Sequence, residues 1–260
     1  MCGRYAVLTT IRDQQWAEFF ANVRNGSEAF DRVPIYNAAP MQFLPIVNVR
    51  SGDLRADKMM WWLVPHHSKD GKPLKGKDGV PFKTFNAKAE TIDTSRLFAP
   101  YFRSARCLIP ADAFYEWKKL PGQQPSGATK IPKQPMAIRM KDGSPFAFAG
   151  LFSVWKGEAG EERPSFTIIT TDPNPLMATI HTRMPVILGS KDFERWLDRE
   201  NKDTEGLKKL MVPYPEKKME TFPVSTVVNN SRNDVPECLA PLERGTEPPK
   251  TTGEKRSPIR

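Results

Sequence analysis

The stretch that decides the fold reads FAFAGLF at residues 146–152. Such a run of apolar and aromatic residues is typical of a strand in a buried sheet. Similar runs occupy residues 43–49, 59–64, 106–109, 136–140 and 166–171. Strands therefore dominate the predicted core.

Short helical patterns accompany these strands. Thr10 followed by Asp13 resembles an N-terminal helix cap, and the apolar residues at 11, 16, 19, 20 and 23 then share one helical face. Residues 175–180 and 192–199 carry further helical patterns. Short helices scattered among many strands predict a single α+β domain, with a largely antiparallel sheet, over residues 2–235.

Three segments lack an apolar period. Residues 66–80 and 120–134 are rich in Lys, Gly, Pro and Asp, which indicates solvated insertions between core strands. The last 20 residues, 241–260, are rich in proline and charge, which predicts a disordered tail.

Charge and cysteine usage restrict the function class. The formal net charge is +9, of which the tail supplies +2, so the body of the chain is basic. A basic body favours polyanionic partners, although an ordinary basic enzyme is an equal alternative. Three widely spaced cysteines fit neither a disulfide framework nor a zinc site, and no stretch is apolar enough for a membrane helix. We expect a soluble cytoplasmic protein, with no metal and no membrane partner.

Cys2 is the most reactive position in the sequence. Removal of Met1 by methionine aminopeptidase would leave a primary amine and a thiol on adjacent carbons. An α-amine has a reference pKa near 8, so it is far more often a free base at neutral pH than a lysine. An aldehyde would condense with this amine, and the thiol could close a thiazolidine ring. The alternative is that Cys2 is an inert consequence of the start of translation.

Four further motifs join the opening MCGRY at residues 1–5. They are NAAP at 37–40, FNAKAET at 85–91, FYEWK at 114–118 and IHTRMP at 180–185. Together, and in this order, they resemble the SRAP family of SOS response-associated peptidases, or abasic-site processing proteins, across about residues 2–230.

This resemblance implies a mainly antiparallel, barrel-like sheet core with peripheral helices. It also implies that the protein forms a covalent crosslink with abasic sites in single-stranded DNA, protecting them from strand cleavage, and needs no cofactor. Cys2 would be the nucleophile, Asn86 would bind the opened sugar, Glu116 would transfer protons, and His181 would assist ring opening.

The DNA-binding residues implied by the resemblance are Arg4, Asn37, Pro40, Trp61, Trp62, Lys88 and Arg183. Two positions depart from the family pattern. Lys88 stands where the family usually has Arg. Lysine keeps the positive charge but cannot bind a phosphate in the bidentate way that arginine does. Trp62 replaces a glycine, and a later tryptophan is missing, so the stacking of bases on aromatic rings is altered.

Each catalytic assignment has a structural alternative. Glu116 lies between two aromatic residues, which would raise its pKa toward neutrality, but it could also face outward from a strand. His181 follows a helix C-terminus, which favours the imidazolium, but it could be a capping or core residue. Asn86 could cap a helix beginning near Ala87. Trp61 and Trp62 could point one into the core and one to the opposite face.

Two other functions compete with covalent capture. A thiol peptidase or self-processing hydrolase could use Cys2, His181 and Asn86. A noncatalytic DNA-binding module would need only the basic face. Capture itself could be accompanied by weak lyase activity, if the imine undergoes β-elimination. We expect a monomer that is associated with the bacterial nucleoid, or nuclear in a eukaryote.

Overall fold

The computed structural model describes residues 2–11, 13–20, 22–121 and 131–242. The predicted tail, apart from residues 241 and 242, and residues 122–130 of the second insertion lie outside these ranges.

The described residues form thirteen strands and six α-helices. The strands are β1 (Tyr5–Val7), β2 (Ile35–Ala38), β3 (Phe43–Arg50), β4 (Asp53–Trp61), β5 (Asn86–Lys88), β6 (Arg106–Ala111), β7 (Ala113–Lys119), β8 (Lys133–Met140), β9 (Phe146–Lys156), β10 (Glu162–Thr171), β11 (Met184–Pro185), β12 (Ile187–Leu188) and β13 (Met219–Pro223). The helices are α1 (Gln14–Phe20), α2 (Gly26–Ala29), α3 (Ala99–Ser104), α4 (Pro175–Ala178), α5 (Phe193–Leu197) and α6 (Thr204–Lys208). Short 3-10 turns cover Ala89–Thr91, Ser190–Asp192, Glu216–Lys218, Thr226–Asn229 and Pro236–Cys238.

Five strands close into a barrel. Strand β9, which contains the FAFAGLF run, pairs antiparallel with β6 and β10, and β3 pairs antiparallel with β4 and β6. A parallel pairing between β4 and β10 completes the ring. Both faces of β9 are buried over residues 146–153, which is why its sequence is almost continuously apolar. The prediction of a single α+β domain with a mainly antiparallel, barrel-like core is confirmed.

A second, antiparallel sheet has the order β13-β8-β7-β1-β2. Tyr5 of β1 joins this sheet to the barrel, because its ring packs edge-on against Trp61 at 5.1 Å and Phe148 at 5.7 Å between centroids. Strand β1, inside the second sheet between β7 and β2, is therefore fully buried.

The predicted helices exist but are short. A cap at Thr10 predicts a helix that begins at the next residue. Helix α1 instead begins at Gln14, about one turn later. Helix α4 is a single turn, in which the Asn174 side chain accepts a hydrogen bond from the Met177 amide at 2.8 Å. No helix within the described ranges has the length and apolarity that spanning a membrane requires.

Candidate active site

Cys2 lies at the edge where the two sheets meet. Strands β1 and β7 are antiparallel with Tyr5 opposite Phe114, so the residues before Tyr5 run toward Glu116. The Cys2 side chain is fully buried, and its thiol lies 3.8 Å from the Arg4 carbonyl oxygen. Burial, with a further contribution from the Glu116 carboxylate, raises the pKa of the Cys2 thiol well above its usual range. The thiol is therefore neutral at physiological pH.

Glu116 points into the protein and is only 3 % exposed. The alternative of an outward-facing strand residue is therefore wrong. Burial raises the pKa of Glu116 to about 7, because the carboxylate loses its hydration. A carboxyl group with this pKa can both give and take a proton near neutral pH, as general acid-base chemistry requires.

His181 faces the same carboxyl group. Its Nε2 atom lies 3.9 Å from Glu116 Oε2, too far for a direct hydrogen bond but close enough for one bridging hydroxyl. The Arg183 amide donates to His181 Nδ1 at 3.1 Å, which in the neutral ring leaves the proton on Nε2, facing Glu116.

The predicted imidazolium at His181 is not supported. Burial lowers the pKa of His181, so the ring is neutral at physiological pH and the 3.9 Å contact with Glu116 is not an ion pair there. Helix α4 ends at Ala178 after one turn, and such a short helix offers only a weak dipole to oppose the loss of hydration.

An ion pair between the mostly buried Arg183 and the exposed Glu90 holds the loop that carries His181. Glu90 accepts two hydrogen bonds from the Arg183 guanidinium, at 2.7 and 2.9 Å. The same guanidinium donates to the Thr170 carbonyl oxygen at 2.6 Å and contacts Asp172 at 3.2 Å. The Arg183 side chain, which the resemblance assigns to DNA, is thus engaged within the protein. Its backbone fixes the His181 ring.

Asn86 begins a strand and does not cap a helix. Strand β5 runs parallel to β10, with Asn86 opposite Ile168 and Lys88 opposite Thr170. The Asn86 amide donates to the Ile168 carbonyl oxygen at 3.4 Å, and its buried Oδ1 accepts no hydrogen bond from the described residues. Lys88 is exposed at the end of the strand, directly before the Ala89–Thr91 3-10 turn, so it offers a cation but does not lie inside the predicted helix.

Arg4 and Asn37 form a clamp on the 228–233 segment. Arg4 Nη1 donates to Asn37 Oδ1 at 3.0 Å, and Nη2 donates to the Asn229 carbonyl oxygen at 3.3 Å. The Asn37 amide donates to three carbonyl oxygens of the segment, including that of Asn233 at 2.7 Å. Asn37 is only 1 % exposed, so its side chain holds the fold together and presents no surface to a ligand.

The two adjacent tryptophans have different environments. Trp61 is fully buried, stacks on Phe166 with centroids 6.3 Å apart and donates to the Phe85 carbonyl oxygen. Its predicted contact with DNA is wrong, because its side chain faces the core at the last residue of β4. Trp62 is half-buried and donates to the Phe82 carbonyl oxygen at 3.1 Å.

Exposed apolar residues near Trp62 escaped the sequence analysis. Met41, directly after Pro40, is 51 % exposed and has a φ of 75°, a backbone conformation that is rare for methionine. Phe43 is 53 % exposed and lies opposite Met60 on the outer face of β3 and β4. The only available signal was the apolar pair flanking the turn after the NAAP motif.

Glu90 also received no role in the sequence analysis, although it lies inside the FNAKAET motif. Its partner is 93 positions away, so only the fold brings the two charges together. The structure thus unites Cys2, Glu116 and His181 in one site. Asn86 lies on β5, which pairs with β10, as does β11, the strand that follows His181. In the described part of the chain, no three His, Cys, Asp or Glu side chains are grouped as metal ligands.

Comparison with known proteins identifies relatives that match the whole stretch of chain carrying the site residues. A family model described as SOS response associated peptidase (SRAP) matches residues 1–231. The Bacillus subtilis abasic site processing protein YoqW is 40 % identical over 240 residues, covering 92 % of this chain and 99 % of YoqW. The Xenopus tropicalis abasic site processing protein HMCES is 32 % identical over 271 residues. The aligned region covers 93 % of this chain and 78 % of HMCES.

Solved structures agree on the fold. The crystal structure of a protein from Bacteroides thetaiotaomicron has a TM-score of 0.75, with 22 % identity, and covers 93 % of this chain and all of that protein. A protein from Bordetella bronchiseptica has a TM-score of 0.65, with 23 % identity, and covers 86 % of this chain.

Proposed function

Because the chain belongs to the SOS response associated peptidase (SRAP) family, we propose that it processes abasic sites in single-stranded DNA by covalent capture through Cys2. The names of its relatives in Bacillus subtilis and Xenopus tropicalis support abasic sites as the substrate. The observation that carries the covalent step is the placement of the buried Cys2 and Glu116 beside the partly exposed His181 in one site.

The chemistry follows from the protonation states of these groups. After Met1 is removed, the Cys2 amine adds to the aldehyde carbon of the opened deoxyribose and forms a carbinolamine. Protonated Glu116 gives its proton to the departing hydroxyl, which leaves as water, and an iminium ion remains. The neutral thiol then adds to the iminium carbon, and its proton returns to Glu116. The net change is a thiazolidine and one water.

His181 and Asn86 would act on the sugar before the bond forms. An abasic deoxyribose is mostly a closed hemiacetal, so its anomeric hydroxyl must lose a proton while its ring oxygen gains one. The neutral His181 ring and the carboxyl group of Glu116 are suited to this exchange across their 3.9 Å separation. The buried Asn86 Oδ1 is an acceptor with no donor among the described residues, which fits a sugar hydroxyl.

The strand itself would lie over the outer face next to the site. Lys88 is an exposed cation for a phosphate, and Trp62 with Met41 and Phe43 offers apolar surface on which flanking bases stack. Stacking of this kind contributes about 1–3 kcal/mol per base. Arg4 would reach a phosphate only with the part of its guanidinium that is not used by the 228–233 segment.

A gel assay with abasic and intact single strands tests capture. Wild-type protein should give a heat-stable adduct with abasic strands only. Cys2→Ser and Cys2→Ala should give at most an imine, which becomes stable only after reduction with borohydride. Cys238→Ser, at another buried cysteine, is the matched control and should crosslink like the wild type. Stable adducts with both Cys2 variants would refute the proposal.

Lyase activity is the side reaction that this chemistry allows, because an imine that does not close the ring can undergo β-elimination. Cys2→Ala should therefore cleave more abasic strand than the wild type does. The peptidase alternative is not favoured. A thiol nucleophile in a peptidase is activated by a lowered pKa, whereas burial raises the pKa of Cys2.

A further inference from the structure

A small hairpin rich in lysine adjoins the candidate site. The Gly76 amide donates to the Val80 carbonyl oxygen at 2.9 Å, and the Phe82 amide donates to the Leu74 carbonyl oxygen at 2.8 Å. These bonds close a hairpin over residues 74–82. We call residues 74–83 the lysine hairpin. Most of it falls within the predicted solvated insertion at residues 66–80, for which the sequence indicates no role.

The hairpin is attached firmly to the end of β4. The Trp62 indole donates to the Phe82 carbonyl oxygen, and the Leu63 amide donates to the Thr84 carbonyl oxygen at 3.3 Å. Asn86 follows only four residues after Phe82, a distance of at most about 14 Å along an extended chain. The hairpin therefore has a fixed position next to the proposed lesion site.

The surface of the hairpin is both cationic and apolar. Residues 66–83 contain five lysines and two aspartates. Lys75, Lys77 and Lys83 are exposed and have no acidic partner at ion-pair distance among the described residues. Val80 and Phe82 are 57 % and 54 % exposed, values that are high for large apolar side chains. Among the described residues, no acidic side chain pairs with these lysines, and the two apolar side chains remain largely exposed.

We propose that the lysine hairpin is a second DNA-binding element, which contacts the backbone of the strand several nucleotides from the abasic position. This inference rests on the proposed function. Unpaired lysines bind phosphates as point charges, and an exposed phenylalanine gives a base a surface for stacking. A nucleic acid satisfies both groups at once. Because the same strand already passes Trp62 and Lys88, DNA is favoured over an acidic protein.

Charge reversal on the hairpin tests this proposal. The triple variant Lys75→Glu/Lys77→Glu/Lys83→Glu is compared with Lys141→Glu/Lys191→Glu/Lys209→Glu, which reverses three exposed lysines elsewhere and changes the net charge equally. Affinity is measured on intact strands of about 4 and about 30 nucleotides, the shorter being comparable with the smallest binding sites of single-strand binders. Crosslinking of an abasic strand at saturating protein is measured in parallel.

The hairpin variant should bind the long strand at least about tenfold more weakly than the control variant does. The slope of the logarithm of its binding constant against the logarithm of the salt concentration should become shallower by about 2. Each phosphate contact with a single strand contributes about 0.7 to this slope, and three lysines are changed. Binding of the short strand and crosslinking at saturation should match the control. Two further long strands carry the lesion near the 5′ end or near the 3′ end. The hairpin variant should lose affinity for only one of them, and this strand shows on which side of the lesion the hairpin binds.

Equal affinities of the two triple variants for the long strand would overturn the inference. The hairpin would then be better explained as a binding surface for an acidic protein. An equal loss on short and long strands would also overturn it, because the lysines would then act at the lesion site or on the fold. A wild-type protein that fails to crosslink would refute the proposed function instead, while the affinity for intact strands would still decide the role of the hairpin.

Discussion

Glu116 is the residue whose protonation connects the chemistry of the site to pH. Its ordinary pKa of 4.5 rises to about 7 in the folded protein. The folded state therefore holds a proton that the unfolded state releases, and stability falls as the pH rises from about 4.5 to about 7. Above that range the full cost of the buried carboxylate remains.

Replacing Glu116 with glutamine should remove this cost. We expect Glu116→Gln to unfold at a higher temperature than the wild type at about pH 8, and at a similar temperature at about pH 4. Thermal unfolding monitored by circular dichroism at the two pH values measures the difference. Glu194→Gln, on an exposed part of α5, is the control. A gain in stability that is the same at both pH values would contradict the raised pKa.

Glu90 should act on the reaction through the position of His181. Glu90→Gln replaces the charged, bidentate contact with Arg183 and loosens the amide that binds His181 Nδ1. We expect the single-turnover rate of crosslinking to fall at least about tenfold, because small displacements of a catalytic group are costly. The affinity for intact single strands should be unchanged.

Asp172→Asn provides the matched control, because Asp172 contacts the same guanidinium once, at 3.2 Å, and its side chain is 77 % exposed. It should crosslink at nearly the wild-type rate. Equal losses of rate in the Glu90 and Asp172 variants would show that the ion pair does not position the ring.

At the scale of the elements, the Asn37 side chain holds the 228–233 segment in place. Asn37→Ala removes three hydrogen bonds to carbonyl oxygens of this segment and the hydrogen bond that Arg4 donates to Asn37. We expect a loss of about 3 kcal/mol in the free energy of unfolding, measured in urea, because buried polar groups lose their partners. Asn230→Ala, at an exposed position, should cost far less. Similar losses for both variants would contradict the clamp.

The sequence predicted elements well where burial decides the pattern. Strand β9 follows the FAFAGLF run closely, and β3 begins at Phe43 as expected. The prediction fails at Asn86, because Ala, Lys and Glu favour a helix but the parallel pairing with β10 overrides that preference. Trp61 and Trp62 could not be assigned to the core and the outer face without knowing the register of β4.

In the whole molecule, the closed barrel leaves little room for substitutions. A Cβ atom at Gly150 would lie 2.7 Å from the Thr167 carbonyl oxygen and 2.2 Å from Ile109. We expect Gly150→Ala to destabilise the protein by about 3 kcal/mol, because backbone atoms cannot move aside as flexible side chains do. Gly189→Ala, whose Cβ would meet only Asp192 at 3.8 Å, should be tolerated. Equal urea midpoints for the two variants would argue against the tight closure.

The assembly of the site could not be derived from sequence patterns alone. Cys2, Glu116 and His181 come from the segment before β1, from β7 and from the loop before β11, and only the closure of the two sheets brings them together. The resemblance to a family supplied these positions, whereas periodicity and composition did not. The neutral state of His181 was also hidden, since it depends on burial in the folded protein.

Intact-protein mass spectrometry after incubation with an oligonucleotide bearing one abasic site tests covalent capture most directly. We predict a new species with the mass of the chain without Met1, plus the oligonucleotide, minus one water. An adduct that retains Met1, or no adduct under conditions in which the protein binds the strand, would contradict the role of Cys2.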